Sequence, residues 1–331
     1  MKTIVFKLLS IGIVGLVIGI SACKKDKKPQ IPQLTTNEIT GSTIIEAAGG
    51  GKITNNGGAT ISQTGLVWSS TNENPTVNTN EGKTQEGSQN DVFSSNLTQL
   101  VENKTYYVRA YATNSAGTGY GAVRCIVTDI EANLYRTVKI GSQVWMLENL
   151  KTAHFKNGTQ LTYEPINWTS VSTPAFCWYA NDVNNANTYG LLYNWYAVND
   201  VNGLAPEGWH IPTVQEWQAL ITELGGDANS AGEKLKEAGN AHWQQFQGIN
   251  PTNASGFTAL PGGYRRHDTG VYSNLGQYGH FWAFGEDPML GKIFFNRLDY
   301  NSNIFNSYTV NYLVGGKPTK NYGLSVRCIK D

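Results

Sequence analysis

Charge is scarce in this sequence. Of 331 residues, 25 are Lys or Arg and 25 are Asp or Glu, 15% in all, against about 25% in an ordinary soluble domain. A balanced, dilute charge sets up no field that gathers nucleic acid, which excludes that partner class. Cysteine is rare as well, with four residues, no two of them close in sequence. The five histidines form neither His-x-His nor His-Glu-x-x-His, so there is no zinc or metalloprotease signature and no cofactor or metal is expected. The apolar run Leu8 to Ile20 holds 13 residues, too short to span a bilayer as a helix. What is abundant is 36 Gly, 33 Asn and 37 aromatics, the last being 9 Trp, 17 Tyr and 11 Phe. Many aromatics with few charges argue against a disordered chain. The composition suits a β-rich, loop-rich protein made outside the cytosol.

The N-terminus reads as a targeting segment. Lys2 and Lys7 precede the apolar run, which ends in Ile20-Ser21-Ala22-Cys23. Small residues before a cysteine resemble a lipobox, the bacterial lipoprotein cleavage site. Residues 1–22 are then a signal peptide, and Cys23 is the lipidation site and first mature residue. Buried acyl methylenes, about 0.8 kcal/mol each, give the membrane as a partner through a lipid anchor. Cleavage removes two lysines and no acid, leaving 23 basic against 25 acidic residues. Residues 23–33 read as a lipidated tether, Cys23 followed by Lys-Lys-Asp-Lys-Lys-Pro-Gln-Ile-Pro-Gln, reaching roughly 30 Å if extended. The expected address is extracytoplasmic, an outer-membrane or cell-surface lipoprotein.

Residues 34–128 are rich in Thr, Asn, Gly and Ser. Thr43 to Ala47, Gly65 to Ser69 and Thr105 to Thr113 read as strands, the last with Tyr106, Val108 and Ala110 on one face. Asn56-Gly57-Gly58 and Asn114-Ser-Ala-Gly117 are turn chemistry. Short strands at this spacing suit an all-β sandwich with Trp68 in its core. The run from Leu97 through Tyr106 to Gly117 resembles a fibronectin type III-like module of bacterial surface proteins. That resemblance implies a tyrosine corner at Tyr106 and a spacer or adhesion role.

Residues 129–331 hold 30 of the 37 aromatics. Thr213-Val-Gln-Glu216 is a capping box, and Trp217, Leu220, Ile221 and Leu224 form one helical face ending at Gly225-Gly226. Helices are also expected at Thr188 to Val198 and Ser230 to Ala238. Thr137 to Ile140, Gln143 to Trp145, Phe281 to Phe284, Ile293 to Phe295 and Leu324 to Ile329 read as strands, giving an α+β domain.

Five motifs occur in order here: Tyr135 to Leu150, Tyr189 to Val198, Gly208-Trp-His-Ile-Pro-Thr213 with Glu216-Trp217, Gly256 to Arg265, and Tyr322 to Cys328. Together they look like the Fibrobacter succinogenes major paralogous domain of Fibrobacteres and Bacteroidetes lipoproteins. The resemblance implies a fold similar to the C-type-lectin-like domain of formylglycine-generating enzymes. In such folds a long-range bridge ties an early segment to the last strand, which implies a Cys177–Cys328 disulfide and leaves Cys125 unpaired. The paired reactive cysteines of those enzymes are not visible. Asp182-Val-Asn-Asn-Ala-Asn187 lacks the Gly and closing Glu of an EF-hand, and an Asn-rich turn explains it better. Glu164-Pro165-Ile166 departs from the lectin Glu-Pro-Asn at its third position.

Binding is the better remaining function, since Tyr, Asn, Ser and Gly make adaptable contact surfaces. The stretch from Asn296 to Tyr322 is dense in them, and such folds carry their ligand face there. Asn296, Tyr300, Asn303, Asn306, Tyr308 and Tyr312 are the candidate contacts to an extracellular glycan or protein, with no catalytic residue expected. The alternatives are an enzyme of formylglycine-generating type or a hydrolase, and a structural component of a surface assembly.

Overall fold

Thr105 to Asn114 organises the first unit. Its alternate residues Tyr106, Val108, Ala110 and Ala112 enter one core with Leu66, Trp68, Phe93 and Ile126. In the computed structural model, which describes residues 27–88 and 91–331, the strands here are β1 (Gln33–Thr36), β2 (Ala48–Asn55), β3 (Gln63–Ser69), β4 (Gly82–Lys83), β5 (Val92–Asn96), β6 (Thr105–Asn114), β7 (Gly117–Tyr120) and β8 (Arg124–Thr128). A sheet of order β1–β2–β5 faces the one built on β8–β6–β3–β4, with the core between them. The Tyr106 hydroxyl accepts from Val101 N at 3.0 Å, closing the corner into β6. Thr43 to Ala47 is a turn rather than a strand, with Ile45 pointing into solvent.

Strand outweighs helix in the second unit too. Its elements are β9 (Leu134–Ile140), β10 (Gln143–Met146), β11 (Thr162–Tyr163), β12 (Ala175–Cys177), α1 (Val183–Tyr189), β13 (Leu192–Tyr193), α2 (Trp195–Val198), β14 (Trp209–His210), α3 (Val214–Glu223), α4 (Ala228–Leu235), β15 (Tyr264–Arg265), β16 (Tyr272–Ser273), β17 (Tyr278–Asp287), β18 (Lys292–Asp299), β19 (Phe305–Asn311), β20 (Leu313–Val314), β21 (Lys317–Pro318) and β22 (Ile329–Lys330). The capping box forms as read: Thr213 accepts from Glu216 N, and Glu216 accepts from Thr213 N at 2.8 Å. The helix expected over Thr188 to Val198 is instead broken. Gly190 at φ 79° stops α1, Leu192–Tyr193 pairs with β12, and Asn194 caps α2. Of the strand expected over Leu324 to Ile329, only its end is strand; Leu324 and Ser325 make single bridges to Tyr193 and Phe281.

The three-stranded sheet β17–β18–β19 is covered on both faces. Trp282, Phe295 and Tyr308 pack into one core with Trp195 and Tyr193, and Phe281, Leu298 and Phe305 into another with Trp145 and Trp217. Trp145 and Trp217 lie 4.7 Å apart between centroids, an aromatic contact worth about 1 kcal/mol beyond area burial.

The units share one sheet. β8 pairs β9 antiparallel, Ile126 opposite Arg136 and Thr128 opposite Leu134, so the order runs β14–β22–β10–β9–β8–β6–β3–β4 through both. Leu134 packs into the first core, and its neighbour Tyr135 into the second. Side chains brace the junction: Trp209 Nε1 donates to Thr105 Oγ1 at 2.8 Å, and Lys330 Nζ reaches Tyr107 Oη at 2.5 Å. The spacer also ends sooner than its composition suggests. Gln30 N donates to Gly57 O at 2.8 Å, and Asn114 Nδ2 donates to Gln30 O at 2.7 Å. Cys23 and the targeting segment lie outside the described residues. Among the described residues no helix is long and apolar enough to cross a membrane.

The Cys177–Cys328 bridge is not formed. Both are free thiols, as is Cys125. Cys177 packs with Trp168, Ala175 and Leu192, whereas Cys328 belongs to the large core with Met146 and Val326. The late segment is held by a different residue. Arg327 is wholly buried; its guanidinium donates to Asn149 Oδ1 at 2.9 Å and Phe257 O at 2.6 Å, and lies 4.4 Å from the Phe257 ring.

Two outcomes are expected. Arg327→Met leaves the Asn149 amide oxygen and the Phe257 carbonyl unpaired, and destabilises the protein by about 2–4 kcal/mol in urea unfolding; a shift in midpoint worth under about 1 kcal/mol would contradict this role. The shared sheet makes the intact chain unfold in a single calorimetric transition, and two resolved transitions would show the units to be energetically separate.

Candidate functional site

The register of the late sheet decides which side chains share a face. His280 lies opposite Arg297, and Arg297 opposite Asn306; Trp282, Phe295 and Tyr308 form the next row. Arg297 is fixed by two hydrogen bonds to Asp299, at 2.5 and 2.8 Å. Its guanidinium carbon sits 4.7 Å from the Tyr278 ring centroid and 4.9 Å from that of Tyr308. Tyr308 is in turn stacked on Phe295 at 5.1 Å. Tyr278, Arg297, Asn306 and Tyr308 are all half-buried, so their outer parts meet solvent while their bodies are locked. Below them His280 is buried, 4.6 Å from Tyr264 between ring centroids.

The six residues expected to bind are therefore not one patch. Asn306 and Tyr308 join the Arg297 platform. Tyr312 lies apart, donating to Glu286 Oε2 at 2.8 Å under the Lys320 ammonium. Asn296 is buried on the opposite face and accepts from Ser307 at 2.8 Å. Tyr300 packs edge-on to Phe246 and against the Trp217 core. The Asn303 carbonyl takes Gly232 N at 2.8 Å. Selecting by residue type missed Arg297 and Tyr278. The signal available was strand alternation: Arg297 and Phe295 sit two apart, on the face opposite Asn296.

The thiols, histidines and acids that the sequence offers have the following surroundings. Burial raises the pKa of all three described thiols, that of Cys177 to about 11, so no thiolate is favoured. A cleft of about 380 Å³ lies beside Trp209, Ile211 and Phe284 and includes His210. Both ring nitrogens of His210 are taken, by Glu216 at 2.7 Å and Asp331 at 2.6 Å. Burial opposes its charge, but those carboxylates outweigh burial and raise its pKa. It pins the last residue to the helix cap and has no nitrogen free to act as a base. Asp268 forms an ion pair with Arg266 at 2.6 Å. Asp182 accepts from Asn184 N as the cap of α1, which accounts for the Asn-rich turn. Among the described residues no group of three or more His, Cys, Asp and Glu gathers to hold a metal.

His280 supplies a pH test. Burial, and then the Arg297 charge, lower its pKa from 6.5 to about 3. The unfolded chain thus takes up a proton that the folded chain refuses. This contribution to stability is complete above pH 6.5 and is lost as pH falls from there toward 3, at up to about 1.4 kcal/mol per unit. His280→Phe is expected to flatten the fall in unfolding free energy between pH 6 and 4; an unchanged slope would refute the buried neutral imidazole.

A family model described as the Fibrobacter succinogenes major domain matches residues 138–330. No curated protein matches the chain.

Proposed function

The chain belongs to the Fibrobacter succinogenes major domain family, and from that premise we propose that it is a lipid-anchored envelope protein that binds an extracellular glycan or protein without catalysis. In this reading Cys23 carries the anchor and the first unit is a fibronectin type III-like spacer. Its facing three- and four-stranded layers and the Tyr106 corner support that assignment. The second unit is a C-type-lectin-like head, supported by the last strand, β22, returning beside the early strand β10.

The observation that carries the reading is the Arg297 guanidinium held between Tyr278 and Tyr308. Planar groups already locked by packing lose little conformational entropy on binding, and Tyr and Arg dominate the energetics of contact surfaces. The mature protein is expected to retain a ligand from a panel of glycans and mucins. Tyr308→Ala weakens that binding by roughly 30-fold, the worth of about 2 kcal/mol. Tyr300→Ala, away from the platform, leaves affinity unchanged. Retention of full affinity by Tyr308→Ala and Arg297→Ala would remove the platform as the site.

A second reading, a surface-assembly component, is favoured by one feature. Met289 and Leu290 lie exposed in the β17–β18 turn, and Leu313 and Val314 are exposed beside it, since Tyr312 N bonds Gly291 O at 2.6 Å. Concentration-dependent self-association abolished by Leu290→Lys and Leu313→Lys would support it.

A further inference from the structure

A cavity of about 210 Å³ opens between β12, α1 and the segment around Lys151, away from the Arg297 platform. Its apolar side includes Phe176, Trp178, Ala186 and Leu191. Trp178 is held in place by the Tyr163 ring, stacked on it at 4.3 Å and 17°. Lys151, Glu131, Asn133 and Asn187 supply the polar side.

These polar groups have capacity to spare. Among the described residues Lys151 Nζ makes no hydrogen bond or ion pair, and neither does the Asn187 amide. Glu131 uses Oε1 for Ala153 N and His154, leaving Oε2 open. Asn133 spends its amide nitrogen on Asp129, and its amide oxygen is open. The larger cleft at His210 differs, because His210 and Thr213 are both satisfied internally. Unused donors and acceptors beside a fixed aromatic wall are what a built ligand pocket looks like.

The ligand class follows from the mixture. A hydroxyl both donates and accepts, so neighbouring hydroxyls are matched by an ammonium and an amide as donors and by a carboxylate and an amide oxygen as acceptors. Glu131 lines the cavity with Lys151, which offsets the cation and disfavours an anionic ligand. The C–H face of a sugar ring suits the indole. The volume equals about seven waters, the scale of one sugar residue rather than of a chain.

We propose that this cavity binds a single neutral pyranose residue, a terminal sugar of a glycan, between Trp178 and the Lys151–Glu131 pair. The proposal rests on the glycan branch of the function above, but at a separate site that can stand or fall alone.

The test is calorimetric titration of the mature protein with glucose, galactose, mannose and N-acetylglucosamine, with glucuronate as the charged comparison. At least one neutral sugar is expected to bind saturably, and more tightly than glucuronate. Asn187→Ala, an exposed change that breaks no internal hydrogen bond, weakens it by roughly tenfold. Val183→Trp, filling the cavity mouth from an exposed position, abolishes it. Tyr308→Ala leaves it unchanged. Absence of binding by every neutral sugar overturns the proposal, as does binding that survives both cavity variants. Sugar binding lost in Tyr308→Ala and kept in the cavity variants also overturns it, while supporting the platform. Circular dichroism and an unchanged unfolding midpoint confirm that each variant is folded.

Discussion

Arg327 is a cation with no exposed surface, and among the described residues no carboxylate bonds it. Burial lowers its pKa to about 9, still above neutrality, so the second unit must accommodate a charge. It does so with dipoles and ring faces. Asn149 presents its amide oxygen, oriented because its amide nitrogen donates to Tyr189 O at 2.8 Å. The Phe257 and Thr258 carbonyls take other donors, and the rings of Phe257 and Phe281 cover the guanidinium. An unpaired buried charge costs several kcal/mol, so these segments hold their positions together or not at all. One late residue thereby fixes the loop after β10, the end of α1, the segment before β15 and the strand β17.

That cage explains what the ordered motifs are for. Asn149, Tyr189, Phe257 and Arg327 each stand in a different one of the five motifs. They meet around one guanidinium, while Trp145, Trp209 and Trp217 from the same motifs fill the cores. The pattern that places the chain in its family is therefore largely a folding pattern. It carries little about ligand, because the residues it names are mostly withdrawn from solvent. Activity within such a fold has to be sought between the motifs.

The sequence shows the limit of local signals in three places. The α3 helix was legible to its cap because Thr213 and Glu216 act within one turn. The segment Thr188 to Val198 was not, since its apolar spacing fits a helix while Gly190 and the pairing of Leu192–Tyr193 with β12 break it; that partner lies outside any local window. The composition change at Asp129 conceals the sheet that runs through both units, because β8–β9 pairing leaves no compositional trace. The candidate site was half legible for the same reason. Tyr308 and Asn306 stood out by residue type, whereas Arg297 and Tyr278 become neighbours only through the register of β17 and β18.

Burial and polarity alone rank the surface features wrongly. The cleft at His210 is larger than the cavity at Lys151 and carries an imidazole, yet its ring nitrogens are already spent on Glu216 and Asp331. A ligand there would have to break charge-assisted bonds before making its own. Arg297 likewise spends its Nε and one Nη on Asp299, so what its platform offers is mainly shape and aromatic surface. Among the described residues the Lys151 ammonium and the Asn187 side-chain amide make no hydrogen bond or ion pair. In a protein with 15% charged residues, spare hydrogen-bonding capacity inside a concavity is the feature to look for. It separates a place where a polar ligand gains bonds from one where it merely exchanges them.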